Sequence, residues 1–292
     1  LRVDVEALIP EGATTVARAR PRELLTSPDL ASIVHALAPD EALEAFSRRH
    51  GVDPRTLDTL VLASFDERDT VVLASGPFVA RVVVAEIGHR MSPLESSADA
   101  PVFRRAGTYL RRRFELLELG ANAVALVDGP PALSGALVAS RSGSTPTARP
   151  EAGVSTTPLR TLLDGVRDAP LVLVRRGRPD LPPSGVGLLL ARLEDTVVTL
   201  TASAPGSVVV RARLYGEFPP GADENFRTLV RSLSEADLGR ALGLEEIART
   251  LAIEVVAPEI RLAATVRSTT LARGLRLLGG AGIGELLEIG PG

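Results

Sequence analysis

Three histidines, His35, His50 and His89, are the side chains best suited to proton transfer or metal ligation near neutral pH. Their spacing fits no metal site. There is no H-E-x-x-H, and the chain has no Cys to supply thiolate ligands. His50 and His89 each fall near the end of an expected helix, where the helix dipole favours a cation, so capping or surface roles are read for them. Asp66, Glu67 and Asp69 share one turn and could hold a calcium ion weakly, but the spacing differs from an EF-hand loop and reads as a solvated turn. Ser134 lies between Ala132 and Ala136, not between the glycines of a nucleophile elbow. Arg104, Arg105, Arg111, Arg112 and Arg113 are the densest charge feature and could gather an anion on adjacent strands. Strand alternation splits them, placing Arg112 opposite Arg111 and Arg113, and Glu115 and Glu118 lie close enough to neutralise part of the patch. Gly279–Gly284 follows an expected helix instead of a strand, so it lacks the context of a dinucleotide fingerprint. No catalytic, cofactor-binding or metal-ligating residue is assigned, and no cofactor is expected.

The residue types that are missing narrow the chemistry further. All 33 basic residues are Arg, and there is no Lys, Cys, Trp or Gln. Without Lys there is no P-loop, no kinase phosphate lysine and no Schiff base, because Arg does not deprotonate. Without Cys there is no thiol nucleophile and no disulfide. The Arg bias is read as that of a GC-rich genome, whose codons favour Arg, Ala, Gly and Pro over Lys and Asn; thermal adaptation, the alternative, fits badly because its proteome-wide signal is Lys and Glu enrichment. The net charge of −3 argues against bulk capture of nucleic acid. Aromatic residues make up 3% of the chain, too few for a base-stacking platform. The longest uncharged run, Thr196–Val210, contains Pro205 and Gly206 and falls short of the roughly 20 apolar residues that span a bilayer.

These groups must be held by elements that the hydrophobic pattern makes visible. A short strand is expected near Ala13–Ala19. Ser27-Pro28-Asp29 caps a helix with Leu30, Ile33, Val34 and Leu37 on one stripe. A second helix spans Asp40–His50. Strands Thr59–Phe65 and Thr70–Ser75 form a hairpin, and a helix to about Arg90 follows with Val79, Val82, Val83 and Ile87 inward. Strands Val102–Ala106, Leu110–Leu119 and Asn122–Val127 lead to a helix at Pro131–Ser140. Arg141–Thr157 is Ser/Thr/Pro/Gly-rich and reads as a linker. Beyond it come a helix at Pro158–Val166, a strand at Pro170–Arg175, a helical turn at Leu188–Leu193, and strands Thr196–Ser203 and Ser207–Phe218. A helix from Asp223 carries Phe226, Leu229, Val230 and Leu233 as its buried stripe. Helix continues over Ser234–Arg249 with a break near Gly243. The hairpin Leu251–Val256/Glu259–Arg267 and a helix Thr269–Leu278 complete the fold.

Two anchors recur at nearly equal offsets. Gly76-Pro77-Phe78 and Gly216-Glu217-Phe218 each end a hairpin and precede a helix, and the strands before Leu133 and Leu271 match likewise. The expected fold is α+β: two related modules, each an antiparallel sheet with helices packed on one face. They cover 1–145 and 155–278, with 279–292 a flexible Gly-rich tail. Carried by Val71–Met91 and by Val208–Leu233 with Leu251–Leu277, the pattern resembles uncharacterised exported proteins and lipoproteins of high-GC bacteria. That resemblance implies export to the periplasm or cell-envelope surface. The chain starts at Leu1 with Met91 as its only Met, so the expectation is a removed upstream signal sequence, one form of which carries a lipid anchor, with a larger cytosolic protein of which this is one part as the alternative. The leading function is a non-catalytic binding or structural role toward a protein partner or envelope component. The alternatives are a carrier of a small apolar ligand in a groove between sheet and helices, and a hydrolase using Asp/Glu acid–base chemistry.

Overall fold

The computed structural model describes residues 3–65, 69–89, 92–93, 104–109, 112–141, 158–178 and 192–287. Along the chain these form β1 (Thr15–Ala19), α1 (Pro21–Thr26), α2 (Pro28–Leu37), α3 (Asp40–His50), β2 (Thr59–Ser64), β3 (Thr70–Ser75), α4 (Ala80–Gly88), β4 (Ser92–Pro93), β5 (Arg104–Tyr109), β6 (Arg112–Gly120), β7 (Ala123–Asp128) and α5 (Pro131–Arg141). There follow α6 (Leu159–Asp164), β8 (Leu171–Arg176), β9 (Leu193–Ala202), β10 (Ser207–Gly216), α7 (Ala222–Glu235), α8 (Asp237–Leu242), α9 (Leu244–Thr250), β11 (Ala252–Val256), β12 (Glu259–Arg267) and α10 (Ser268–Leu287). The chain divides into two compact units. One contains Leu1–Glu23, Asp40–Ala152 and Glu285–Gly292, and the other Leu24–Pro39 and Gly153–Gly284. The division between Ala152 and Gly153 falls within the expected linker, whose residues 142–157 lie outside the described residues.

The division departs from the expected contiguous modules at Leu24–Pro39, which joins the second unit. Ser27 stands at the N-cap of α2 with Pro28 behind it, but its side chain makes no capping bond. The Asp29 carboxylate instead accepts the Gly206 N–H at 2.8 Å, and the Ala36 carbonyl accepts Arg276 Nε at 3.1 Å. Leu30 and Ile33 are buried, so the stripe read from the sequence is the face that docks.

In the first unit the strands pair antiparallel in the order β1-β2-β3-β7-β6-β5-β4. Register aligns Arg18, Val61, Leu73, Ala125 and Leu117 in one row, and Val16, Ala63, Val71, Val127 and Glu115 in the next on the same face. None of these residues is more than 2% exposed. On the opposite face Val83 and Val84 of α4 pack with Leu60, Ala74, Val124, Leu116 and Leu126. Both faces of this sheet are therefore buried, not one. The sequence of β3, Thr-Val-Val-Leu-Ala-Ser, fits that burial, because it is apolar on both sides of the pleat. In α4 the buried stripe is Ala80, Val83, Val84 and Gly88. Val79 and Val82, expected inward, are 61% and 52% exposed. The buried stripe is displaced by one residue, with Ala80, Val83, Val84 and Gly88 in the places read for Val79, Val82, Val83 and Ile87.

In the second unit the order is β8-β9-β10-β12-β11, again antiparallel throughout. Leu193 opens β9, where a helical turn over Leu188–Leu193 was expected; 188–191 are outside the described residues. One face buries Leu193, Leu214 and Ile260 against Ala222 and Phe226 of α7, whose ring meets Phe218 edge-on at 6.2 Å. Leu233, expected in that stripe, is 44% exposed. The other face changes character across a single row: Val174 and Val197 are buried, while Arg213, Arg261 and Glu254 beside them are charged and reach solvent. The stretch Gly279–Gly284, expected to follow the last helix as a tail, lies inside α10. Each of its glycines costs about 1 kcal/mol relative to Ala, but no proline interrupts the hydrogen-bond ladder.

The order β8-β9-β10-β12-β11 repeats β1-β2-β3-β7-β6 strand for strand and sense for sense. A glycine ends the central hairpin in each unit. The Gly76 N–H donates to the Asn122 carbonyl at 3.2 Å, just before β7, and the Gly216 N–H donates to the Pro258 carbonyl at 3.1 Å, just before β12. Both glycines press on the chain entering the hairpin. A Cβ on Gly76 would lie 3.1 Å from Leu57 Cα, and one on Gly216 would overlap the Arg192 carbonyl oxygen.

Candidate functional site

The structure separates the residues that could do chemistry. His35 is exposed on α2, and His89 is exposed just past α4, its N–H donating to the Ala85 carbonyl at 2.9 Å. His50 ends α3 as expected but is not a surface group: it is 3% exposed, with its ring 4.4 Å from that of Phe46. Phe46 sits one turn earlier on the same helix, which brings the two rings together. Among the described residues no group of His, Cys, Asp or Glu is arranged to hold a metal ion. Asp66 and Glu67 lie outside the described residues. Asp69 closes the hairpin, its carbonyl accepting the Phe65 N–H at 3.0 Å. Ser134 is fully buried on α5, out of reach of a substrate.

Register also divides the arginine cluster. Arg104 and Arg105 pair with Leu117 and Leu116, whereas Arg113 and Arg112 pair with Thr108 and Tyr109. Arg105 and Thr108 are three residues apart along β5, about 10 Å at strand rise. Arg111 lies outside the described residues. Glu115 is buried, and Glu118 binds Arg81 of α4 at 3.2 Å.

Several other charges hold the fold together. Arg18 Nη1 donates to Glu6 Oε2 at 3.1 Å. Arg55 Nε and Nη2 bind the Asp53 carboxylate at 2.9 and 3.0 Å, which holds that carboxyl below its ordinary range. Arg176 and Asp195 face each other across β8 and β9 at 3.9 Å, with Asp195 only 1% exposed. Glu259 of β12 bridges Arg213 at 3.6 Å and Arg261 at 3.1 Å.

A shallow, open concavity in the second unit is lined by Glu246, Arg249, Thr250 and Arg267. It forms where α9 crosses the end of β12. Thr250 Oγ1 donates to the Thr265 carbonyl at 2.7 Å and accepts the Thr265 N–H at 3.1 Å. The Glu246 carboxylate accepts the Arg267 backbone N–H at 2.9 Å and its Nε at 3.3 Å. Burial pushes the Glu246 carboxyl up, but the Arg267 N–H, a Thr270 hydrogen bond and the Arg267 guanidinium together outweigh it, and the group stays below its ordinary range. Sequence reasoning passed over this corner. Its only signal is Glu246 and Thr250 one helical turn apart, facing Thr265 and Arg267 two residues apart on a strand. The lining is polar, and Glu246 and Thr250 bind the backbone of β12 at Arg267 and Thr265, so the corner works as a clamp between helix and strand.

No family model and no curated protein matches this chain. Its fold is shared with TP0453. Two crystal forms of TP0453 superpose with TM-scores of 0.56 and 0.54, at 9% and 10% sequence identity. The matches cover 91% of this chain and 95% and 94% of the TP0453 chains. The likeness establishes an α+β architecture of this kind over nearly the whole chain. Large apolar side chains are exposed in both units. Val79 and Val82 flank the start of α4, and Val255 and Val256 end β11 at 48% and 41% exposure. No helix among the described residues is long and apolar enough to cross a membrane.

Proposed function

We propose that the protein is an exported, non-catalytic binding protein of the bacterial cell envelope that engages a protein partner or envelope component through exposed apolar side chains. The carrying observation is the pair Val79 and Val82, three residues apart and more than half exposed at the start of a helix whose other valines are buried. Apolar side chains grouped on one exposed turn are a common mark of a contact surface. The compartment rests on the resemblance to exported proteins of high-GC bacteria. We also propose that the two units descend from one duplicated module. The matching strand order, the two hairpin-ending glycines and their matching carbonyl acceptors support this reading.

The test uses the full gene product in its own cells. A photoreactive residue replaces Val82 in one variant and Arg48, an exposed polar site, in another. The proposal expects fractionation with the envelope and a discrete covalent adduct from position 82 alone. Recovery in the cytosol, or equal adducts from both positions, overturns it. A lipid that copurifies stoichiometrically would favour the carrier.

A further inference from the structure

We propose that the concavity between α9 and β12 binds a phosphate group through the paired guanidinium groups of Arg249 and Arg267. The site is separate from the exposed valines and does not depend on them. The concavity has a volume of about 490 Å³ and is lined by Glu246, Arg249, Thr250 and Arg267. Each guanidinium is anchored on its Nε side. Arg249 Nε donates to the Glu245 carbonyl at 3.3 Å, and Arg267 Nε donates to both Glu246 carboxylate oxygens at 3.3 Å. Among the described residues, the terminal Nη1 and Nη2 of these two arginines have no hydrogen-bond partner. Other arginines of the second unit spend those nitrogens on the protein. Arg261 Nη2 donates to Glu259 at 3.3 Å, Arg167 Nη2 to Asp164 at 2.7 Å and Arg211 Nη1 to Thr201 at 3.0 Å.

The clamp described above fixes where the two forks stand. Thr250, next to Arg249, is tied to both the N–H and the carbonyl of Thr265, two residues before Arg267. Glu246 orients Arg267 and does not cancel the site. Its carboxylate is engaged by the Arg267 backbone N–H at 2.9 Å, by Arg267 Nε and by Thr270, and two guanidinium groups against one carboxylate leave the lining net positive. The oxyanion geometry selects phosphate. One guanidinium fork satisfies the two oxygens of a carboxylate, whereas two forks call for the three or four oxygens of a phosphate. The Arg267 side chain is 67% exposed, so the concavity admits a phosphate in solution or one carried on a lipid, and binding weakens as salt rises.

The test follows amide resonances of the full chain during titration with inorganic phosphate at constant ionic strength. Saturable shifts are expected at Arg249, Thr250, Thr265 and Arg267, with acetate binding at least fivefold more weakly. Arg249→Gln and Arg267→Gln are each expected to weaken phosphate binding at least fivefold with unchanged circular dichroism, because neither change removes a backbone contact of the clamp. Arg167→Gln, at an exposed arginine elsewhere in the second unit, should leave it unchanged. Glycerol 3-phosphate and phosphatidylcholine vesicles, with and without phosphatidic acid, separate the sources. Retention on the phosphatidic acid vesicles that is lost in the Arg249→Gln variant assigns the phosphate to a lipid. Shifts with glycerol 3-phosphate and no retention assign it to a soluble ester. Absence of saturable shifts at these residues, equal affinity for acetate, or equal weakening by Arg167→Gln overturns the proposal.

Discussion

Arg18 and Glu6 form an ion pair in which only the carboxylate reaches solvent. The Arg18 side chain is 0% exposed on β1, Glu6 is 26% exposed, and Arg18 Nη1 lies 3.1 Å from Glu6 Oε2. Arg18 ends a row that is otherwise Val61, Leu73, Ala125 and Leu117, so the charge sits beside a fully apolar layer. Burying a cation in such a layer is costly unless its acceptors stay in place. Glu6→Ala is therefore expected to lower stability by about 1.5–3 kcal/mol. In an Arg18→Met background the same change should cost less than about 0.5 kcal/mol, because the charge it served is gone. Urea unfolding of the four proteins measures the coupling, and additive losses would count against the pair.

The two hairpin-ending glycines should differ in tolerance. A methyl group on Gly216 overlaps the Arg192 carbonyl oxygen, which cannot move without breaking the entry to β9. On Gly76 the nearest atoms are Leu57 Cα at 3.1 Å and Leu57 Cδ2 at 3.2 Å, a contact that small shifts relieve. Gly216→Ala is expected to cost more than about 3 kcal/mol and Gly76→Ala about 1–2 kcal/mol, read from denaturation midpoints.

Phe226 is 3% exposed at the centre of the cluster formed by Leu193, Leu214, Ala222 and Ile260. Phe226→Ala should cost about 3–5 kcal/mol through lost transfer energy and the cavity left behind. Val79→Ser, at a site 61% exposed that is also the N-cap of α4, should cost nothing and, by supplying a capping hydroxyl, should gain up to about 1 kcal/mol. Comparable losses for the two would mean that Val79 is buried in solution.

Acid should weaken the turn before β2. Asp53 caps the short helical turn Pro54–Thr56, accepting the Arg55 N–H at 3.0 Å. Hydrogen bonds from the Arg55 side chain hold its carboxyl below the unfolded value of about 3.9. The folded state therefore binds the proton less readily than the unfolded chain. The stabilisation is complete above about pH 4 and is lost as the pH falls through the lowered folded value. Asp53→Asn keeps a capping acceptor and removes the titration, so its loss of stability between about pH 5 and about pH 2 should be smaller than that of the parent. Equal acid slopes would show that Asp53 does not contribute. Asp53→Ala removes the cap as well, at about 1 kcal/mol near pH 7.

The amino-acid sequence alone determined what depends on neighbours along the chain. Alternation and turn residues marked the hairpins β2–β3 and β11–β12, and both appear where the pattern placed them. The helical stripe Leu30, Ile33 was legible because residues three apart on a helix share a face whatever that face meets. Gly76 and Gly216 stood out because each lies between a strand and a helix. The tertiary structure decided everything that depends on residues far apart in sequence. The Asp29–Gly206 and Ala36–Arg276 hydrogen bonds, spanning 177 and 240 positions, show α2 docked within the second unit. Burial of the second face of the first sheet, of His50 and of Arg18 likewise depends on what packs above them. The clamp of Glu246 and Thr250 on Arg267 and Thr265 exists only once α9 crosses β12. Local patterns report the geometry of one element, while burial is a property of the space around it, and that space is filled by distant parts of the chain.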